Sequence, residues 1–325
     1  MIAMDVTNNI AEELAKDLQQ IDALKREIFF QDKKETSPLI ATFLEFVFNK
    51  QGKNLRPKLA LLTSKVVGNT NRSTYLSAIL IDILHEATLL HDDVVDAAEL
   101  RRGETSANVV FGNKATVLMG DYLLSKMIEV CTKQKEFKLL EIISTTLVSL
   151  SKGELIQLNA TKENEFSVSQ LTKIAALKTG SLLKASCLAG AYSAGLQEKD
   201  EQIWVDFAEY LGVSYQIKDD IIDYVENGKE RYKDIKEGKV NIPMALALEN
   251  SDQETSEHIL CLIKDNENFE TNIDQIHSFL KENEGLKLAE SLQENFLEKA
   301  INELQKLPNS DDLIVFTEAI GQRTF

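Results

Sequence analysis

The chain has 325 residues and carries 36 Lys and Arg against 52 Asp and Glu, a net charge of −16. That balance argues against nucleic acid, which needs a basic face, and any anionic substrate must be captured by a local basic pocket or by metal. Hydrophobic residues make up 43%, with only 4 Pro and 14 Gly, so a sizeable core built from long uninterrupted elements is expected.

The first residues are acidic at Asp5, Glu12, Glu13 and Asp17 and show no apolar signal core. No targeting signal is expected, and the expected location is cytoplasmic. Apolar residues recur with the helical period nearly throughout, without a convincing alternating strand. Ile10, Leu14, Leu18, Ile21 and Ile28 line one side of a helix over about 8–30. A second helix is expected from about Pro38 to Phe48. A third starts near Pro57, a residue suited to a first helical position, and stops near Gly68. The segment 74–96 carries Leu76, Ile79, Leu80, Ile83, Leu84, Ala87 and Leu90 at three- and four-residue spacing. Ile81 and Leu89 widen that stripe, which predicts a central, buried helix. Asp82, His85 and Glu86 interrupt its apolar run, so no transmembrane segment is expected. A loop over 97–105 follows. Later helices are expected at about 114–132, 137–160, 169–195 and 200–226. The more charged last third adds helices near 242–250, 254–265, 272–284, 285–306 and 309–321. No linker or short repeat divides the chain, so residues 1–325 read as a single all-α domain of many helices. Cys131, Cys187 and Cys261 lie singly in apolar helical sequence, without ligand spacing. They are expected to be buried free thiols in a reducing compartment.

The chemistry concentrates at Leu89-Leu90-His91-Asp92-Asp93-Val94-Val95-Asp96. On a helix Asp92 and Asp96 share one face, and Asp93 lies about 100° round. Crowded carboxylates repel one another unless a cation sits among them. Hard oxygen donors suit Mg²⁺, which fills its other positions with water and substrate phosphate. The pattern returns at Gln216-Ile217-Lys218-Asp219-Asp220-Ile221-Ile222-Asp223, and 219 − 92 places it 127 residues on. Two such clusters facing each other across a helix bundle would grip a diphosphate through several Mg²⁺ ions.

The paired motifs, with Arg101-Arg102-Gly103 behind the first, resemble the trans-isoprenyl diphosphate synthases, the polyprenyl synthetase family. The resemblance runs from about Gln51 to Pro243. It implies helices around a central cavity, the type I isoprenoid synthase fold, and a homodimer. It implies condensation of isopentenyl diphosphate with an allylic diphosphate, such as farnesyl or geranylgeranyl diphosphate, to an all-trans polyprenyl diphosphate. It implies three Mg²⁺ per active site, with Mn²⁺ as a substitute. By resemblance Asp92, Asp96 and Asp219 hold the metals, while Asp93, Asp220 and Asp223 complete their shells directly or through water.

Gln51-Gly52-Lys53-Asn54-Leu55-Arg56-Pro57 resembles the family's basic motif, and Lys53 and Arg56 flank a helix N-terminus suited to diphosphate. His85 stands where the family places a histidine near the homoallylic diphosphate, whereas His91 reads as structural. The resemblance assigns Arg101 to the allylic diphosphate. It assigns Arg102 to isopentenyl diphosphate, alongside Lys53, Arg56 and His85. Lys178-Thr179-Gly180 matches a lysine–threonine pair that, with Gln216, would set charge and dipoles near the reacting carbon. Lys233, Asp234 and Lys239-Val240-Asn241-Ile242-Pro243 resemble the mobile basic segment after the second cluster, although the family usually has Thr where Asn241 stands. Mobile loops around 97–105 and 228–240 are the expected lid. Asp121, in Met119-Gly120-Asp121-Tyr122, fits a family motif read as structural.

Ala87 and Thr88, five and four residues before Asp92, are expected to line the start of the product tunnel. Short-product members commonly carry a bulky aromatic there, so the small pair resembles medium- and long-chain synthases. Ile83 and Leu84 lie one turn deeper, and Met119, Leu123 and Met127 are candidates for the floor. A short-chain synthase and a non-catalytic regulatory subunit are the alternatives, although such subunits typically lose aspartates and this chain keeps all six. A class I terpene cyclase would usually replace the second aspartate cluster and would not need the basic pocket.

Overall fold

Helical periodicity becomes, in the computed structural model of the chain, sixteen α-helices among the described residues. The structure describes residues 2–30, 37–49, 52–101, 103–163, 166–225, 232–265 and 268–323. In chain order these helices are α1 (Ile2–Phe30), α2 (Pro38–Phe48), α3 (Leu55–Val67), α4 (Arg72–Val95), α5 (Ala107–Phe111), α6 (Asn113–Gln134), α7 (Phe137–Glu163) and α8 (Val168–Ala175). They continue as α9 (Ser181–Ser193), α10 (Glu201–Val225), α11 (Lys233–Lys236), α12 (Ile242–Glu249), α13 (Gln253–Lys264), α14 (Phe269–Glu282), α15 (Gly285–Leu304) and α16 (Asp311–Gly321). The chain forms two compact units, one of residues 1–146 and 185–201, the other of 147–184 and 202–325.

In the first unit α4 packs against α3, α6 and α1. It starts two residues before the periodic stretch because Asn71 caps it. The Asn71 side chain accepts from the Ser73 and Thr74 N–H groups, and Thr74 Oγ1 accepts from the Asn71 N–H, a reciprocal capping box. Ile79, Leu80, Ile81, Ile83, Leu84 and Ala87 are all buried, as the wide apolar stripe predicts. Each large aliphatic side chain so buried contributes about 1.5–3 kcal/mol. Among the described residues, α4 alone is long and apolar enough to cross a membrane, but 61% of its apolar window is buried inside the protein, as in a core helix, so it is no clear transmembrane segment.

The 97–105 segment is a short hairpin rather than plain loop. Strand β1 (Leu100–Arg101) pairs antiparallel with β2 (Glu104–Thr105), and Gly103, at φ +76°, supplies the turn.

In the second unit two apolar clusters form the core. One joins Tyr224, Ile235, Met244, Ile276 and Phe279; the other joins Val213, Ile217, Ile221, Ile242 and Ala289. The helix expected over 169–195 is interrupted by a π-helical turn, Ala176–Gly180. Its neighbour Gly212 explains how this turn fits: a Cβ there would stand 2.8 Å from the Gly180 nitrogen.

One expectation about the thiols fails. Cys131 and Cys187 are buried, but Cys261 is exposed. It follows Ile259, a buried residue of α13, by two positions and so points about 200° away from that apolar face.

Candidate active site

The first aspartate cluster occupies the last turn of α4. Asp96 is exposed and Asp92 half-buried, whereas Asp93 is turned inward and only 3% exposed. Asp93 Oδ1 accepts from Arg101 Nε at 2.7 Å and also from Arg101 Nη2. The Asp93 carbonyl accepts from Asn108 Nδ2 at 3.1 Å and from the Ala98 N–H at 2.9 Å. The β1–β2 hairpin is thus tied back to the end of α4, and Arg101 is braced on Asp93. His91 Nε2 donates to the Val117 carbonyl at 3.2 Å and lies 3.4 Å from Asp121 Oδ1. The ring fills the space that a side chain at position 120 would take.

The other expected residues of this unit are distributed along α3 and α4. Lys53 is exposed just before α3, and Arg56 is half-buried in its first turn. His85 and Thr88 are half-buried, and Thr88 Oγ1 donates to the His85 carbonyl at 2.8 Å. Ala87, Ile83 and Leu84 are buried in α4, while Met119, Leu123 and Met127 are buried in α6, which packs on it. Arg102 lies outside the described residues, as do Gln51 and the 228–231 part of the expected lid.

The second cluster repeats the same division on α10. Asp219 is exposed, Asp223 is half-buried, and Asp220 is only 6% exposed. Asp220 Oδ1 accepts from Gln216 Nε2 at 2.9 Å, and Oδ2 accepts from the Ile242 N–H at 3.0 Å. Thr179 Oγ1 donates to Gln216 Oε1 at 2.7 Å, so the π-turn, Gln216 and Asp220 form one hydrogen-bonded chain. Lys178, from the same turn, donates to Gln157 Oε1 at 2.6 Å and pairs with Glu154. A cavity of about 230 Å³ lies here, lined among others by Gln157, Lys178, Gln216, Asp220, Asp234 and Lys239. The Lys233 N–H donates to Asp223 Oδ1 at 2.9 Å while its side chain is exposed, and Lys239 pairs with Glu237 at 2.7 Å.

Asn241 replaces the expected Thr with a reason. Its Oδ1 accepts from Tyr224 OH at 2.6 Å and from the Met244 N–H at 3.4 Å, capping α12, while Nδ2 donates to Asp234 Oδ2 at 3.1 Å. A threonine could cap the helix but has no amide to hold Asp234.

Burial, and then the charge of Asp234, pushes the Asp220 carboxyl up to about 8 and that of Asp223 up to about 6. Asp223 Oδ2 is buried without a hydrogen-bond partner among the described residues. Two acids raised by desolvation and an orphaned carboxylate oxygen are what a hard cation would satisfy, so the donor set fits a divalent metal. Among the described residues no three His, Cys, Asp or Glu side chains come together as a group that could hold a metal ion by themselves. Open acidic faces of this kind leave coordination positions to water and phosphate, as Mg²⁺ requires. Sequence reasoning missed Glu154, Gln157 and Arg323, whose Nη2 donates to Asp219 Oδ1 at 2.5 Å. None of the three lies in or beside an aspartate motif, so no local signal marks them.

Residues 37–280 match the family model described as polyprenyl synthetase. The octaprenyl diphosphate synthase of Haemophilus influenzae is 30% identical over 278 residues, covering 84% of each chain. A decaprenyl diphosphate synthase structure from Rhodobacter capsulatus matches with a TM-score of 0.90 at 27% identity, covering 98% of this chain and 99% of that one. A polyprenyl synthase from Caulobacter crescentus, complexed with calcium and isoprenyl diphosphate, matches with a TM-score of 0.87 at 26% identity over 98% of each chain.

Proposed function

The chain belongs to the polyprenyl synthetase family and is a prenyltransferase, and from that premise we propose that it condenses isopentenyl diphosphate with an allylic diphosphate. The observation that carries this reading is the Thr179–Gln216–Asp220 chain beside Lys178, which sets a cation and oriented dipoles next to paired acids. The calcium and isoprenyl diphosphate of the Caulobacter relative support a divalent metal and this substrate class.

Asp92, Asp96 and Asp219 present the carboxylates that would hold Mg²⁺, three ions in all by family resemblance, and half-buried Asp223 adds its Oδ2, unpartnered among the described residues. Asp93 and Asp220 serve as inward anchors of their helix turns. When bound, the metal neutralises charge that builds on the leaving diphosphate oxygens. Lys178, held by Glu154 and Gln157, and Lys233 add positive charge to that departure. Arg101, braced on Asp93, does the same from the first cluster. The allylic C–O bond breaks, the isopentenyl double bond attacks the allylic carbon, and the departing pyrophosphate takes the proton. Lys53, Arg56, His85 and Arg102 bind the isopentenyl diphosphate, which keeps its own C–O bond. Residues around the site must exclude water, which would otherwise capture the cation.

The product is of medium or long chain. The small pair Ala87 and Thr88 supports this, as do the octaprenyl and decaprenyl names of the relatives. The working form is a homodimer: α6 exposes Leu118 and Ile128, and α7 exposes Val148, Leu155 and Leu158, apolar surface suited to a second copy. Three free thiols suit a reducing, cytoplasmic setting.

The test is incubation of the purified protein with Mg²⁺, farnesyl diphosphate and labelled isopentenyl diphosphate, followed by sizing of the dephosphorylated products. Chains several units longer than the primer are expected, and none in EDTA. A single added unit would point to a short-chain synthase, inactivity to a regulatory subunit, and unchanged turnover in EDTA would refute the metal role.

A further inference from the structure

Arg323 lies just past α16, yet it reaches the second aspartate motif. Its Nη2 donates to Asp219 Oδ1 at 2.5 Å and to the Tyr215 carbonyl at 3.1 Å. The guanidinium carbon stands 3.4 Å from the Tyr215 ring centroid, a stacked cation–π contact. The Arg323 side chain is 12% exposed, against 46% for Asp219.

The placement is built rather than incidental. Gln293 on α15 is buried, and its Nε2 donates to Ser214 Oγ at 2.9 Å and to the Gly321 carbonyl at 3.4 Å. Ser214 Oγ donates in turn to the Gln293 carbonyl at 3.2 Å. Gly321 packs against Leu297 where a Cβ would collide. A buried polar bridge thus links α10, α15 and the end of α16, and it delivers residue 323 to Asp219.

The contact is also exchangeable. Among the described residues Arg323 Nε is buried without a hydrogen-bond partner, so within them the guanidinium is only partly satisfied. Asp219 is open to solvent, and a divalent ion attracts a carboxylate about twice as strongly as a guanidinium at equal distance and dielectric. We propose that Arg323 is a positioning residue and the built-in counter-cation of Asp219, holding this carboxylate until a divalent metal takes its place. The proposal rests on the metal role of Asp219 given above. The first cluster is arranged differently: Arg101 pairs with the inward Asp93, away from the outward positions Asp92 and Asp96.

The test is Mn²⁺ binding to the full chain without substrates, read as free Mn²⁺ by electron paramagnetic resonance. Arg323→Gln removes the competing cation and should tighten the Asp219-dependent site roughly two- to fivefold, the range of a part-exposed ion pair. Arg323→Lys, which keeps the charge but loses the stacked guanidinium geometry, should bind Mn²⁺ with an affinity between those of wild type and Arg323→Gln. Tyr215→Leu, which keeps Arg323 but removes its stacking platform, should shift binding in the same direction as Arg323→Gln. Melting curves verify that each variant is folded. Mn²⁺ binding no tighter in Arg323→Gln or in Tyr215→Leu, or equally tight in Arg323→Lys and Arg323→Gln, overturns the proposal. Asp219→Asn separates the two readings. If it weakens Mn²⁺ binding while Arg323→Gln changes nothing, only the Arg323 proposal fails; if it leaves Mn²⁺ binding intact, the metal role fails and the proposal falls with it.

Discussion

Asp220 accepts two hydrogen bonds and is still pushed up to about 8, because burial and the nearby Asp234 charge outweigh them. Its folded value lies above the ordinary 3.8. Its contribution to stability is therefore full below about 3.8 and is lost progressively as pH rises toward about 8. Asp223, raised to about 6, acts with the same sign over a narrower window. Metal-free wild-type protein should accordingly lose more Tm between about pH 5 and about pH 8 than Asp220→Asn, whose amide never ionises. Parallel melting curves in EDTA make the comparison; equal pH slopes would show that Asp220 is not held protonated. At the other anion site, Arg56→Ala should raise KM for isopentenyl diphosphate about ten- to a hundredfold, the worth of a charge-assisted contact. The allylic KM should change far less, and equal rises for both substrates would refute the division between the two sites.

At the scale of elements, the π-turn Ala176–Gly180 and helix α4 carry the most. The turn brings Lys178 to Glu154 and Gln157 and Thr179 to Gln216, and Gly212 gives it room. Gly212→Ala should cost about 1–3 kcal/mol by overpacking. It should also lower kcat, because relief of the clash moves Thr179 away from Gln216. Denaturant curves and steady-state rates check both effects, and a fully active, equally stable variant would show that the close approach is dispensable. On α4, Ala87 lies about 7.5 Å along the axis from Asp92. Ala87→Phe should shorten the products while sparing the first condensation. Reverse-phase sizing of dephosphorylated products decides it, and unchanged long products would remove Ala87 from the tunnel wall.

At the scale of the whole molecule, a net charge of −16 disfavours anionic ligands except where cations gather. In the proposed function Lys178, Lys233 and Lys239 in one unit, and Lys53, Arg56 and Arg101 in the other, would supply those local exceptions. The unit boundaries fall inside α7, α9 and α10 rather than in linkers. The exposed apolar residues of α6 and α7 lead to the expectation of a dimeric mass by light scattering at micromolar concentration. A fully active monomer would count against the homodimer.

What the sequence determined by itself is what a helix makes local. Four-residue spacing put Asp92 with Asp96 and Asp219 with Asp223 on one helix face each, exposed or half-buried, and the intervening turn of about 100° sent Asp93 and Asp220 inward. The wide apolar stripe of 74–96 likewise made α4 a core helix, and its loss of exposure followed. Even the exposed Cys261 was encoded, in the amphipathic phase of α13, although apolar neighbours suggested otherwise. Only the tertiary structure decided which groups meet those carboxylates. The π-turn depends on a glycine more than thirty residues later, Lys178 finds its partners on α7, and Arg323 reaches Asp219 across 104 positions. Such pairings carry no periodic signal, because they depend on how helices pack rather than on how one helix turns.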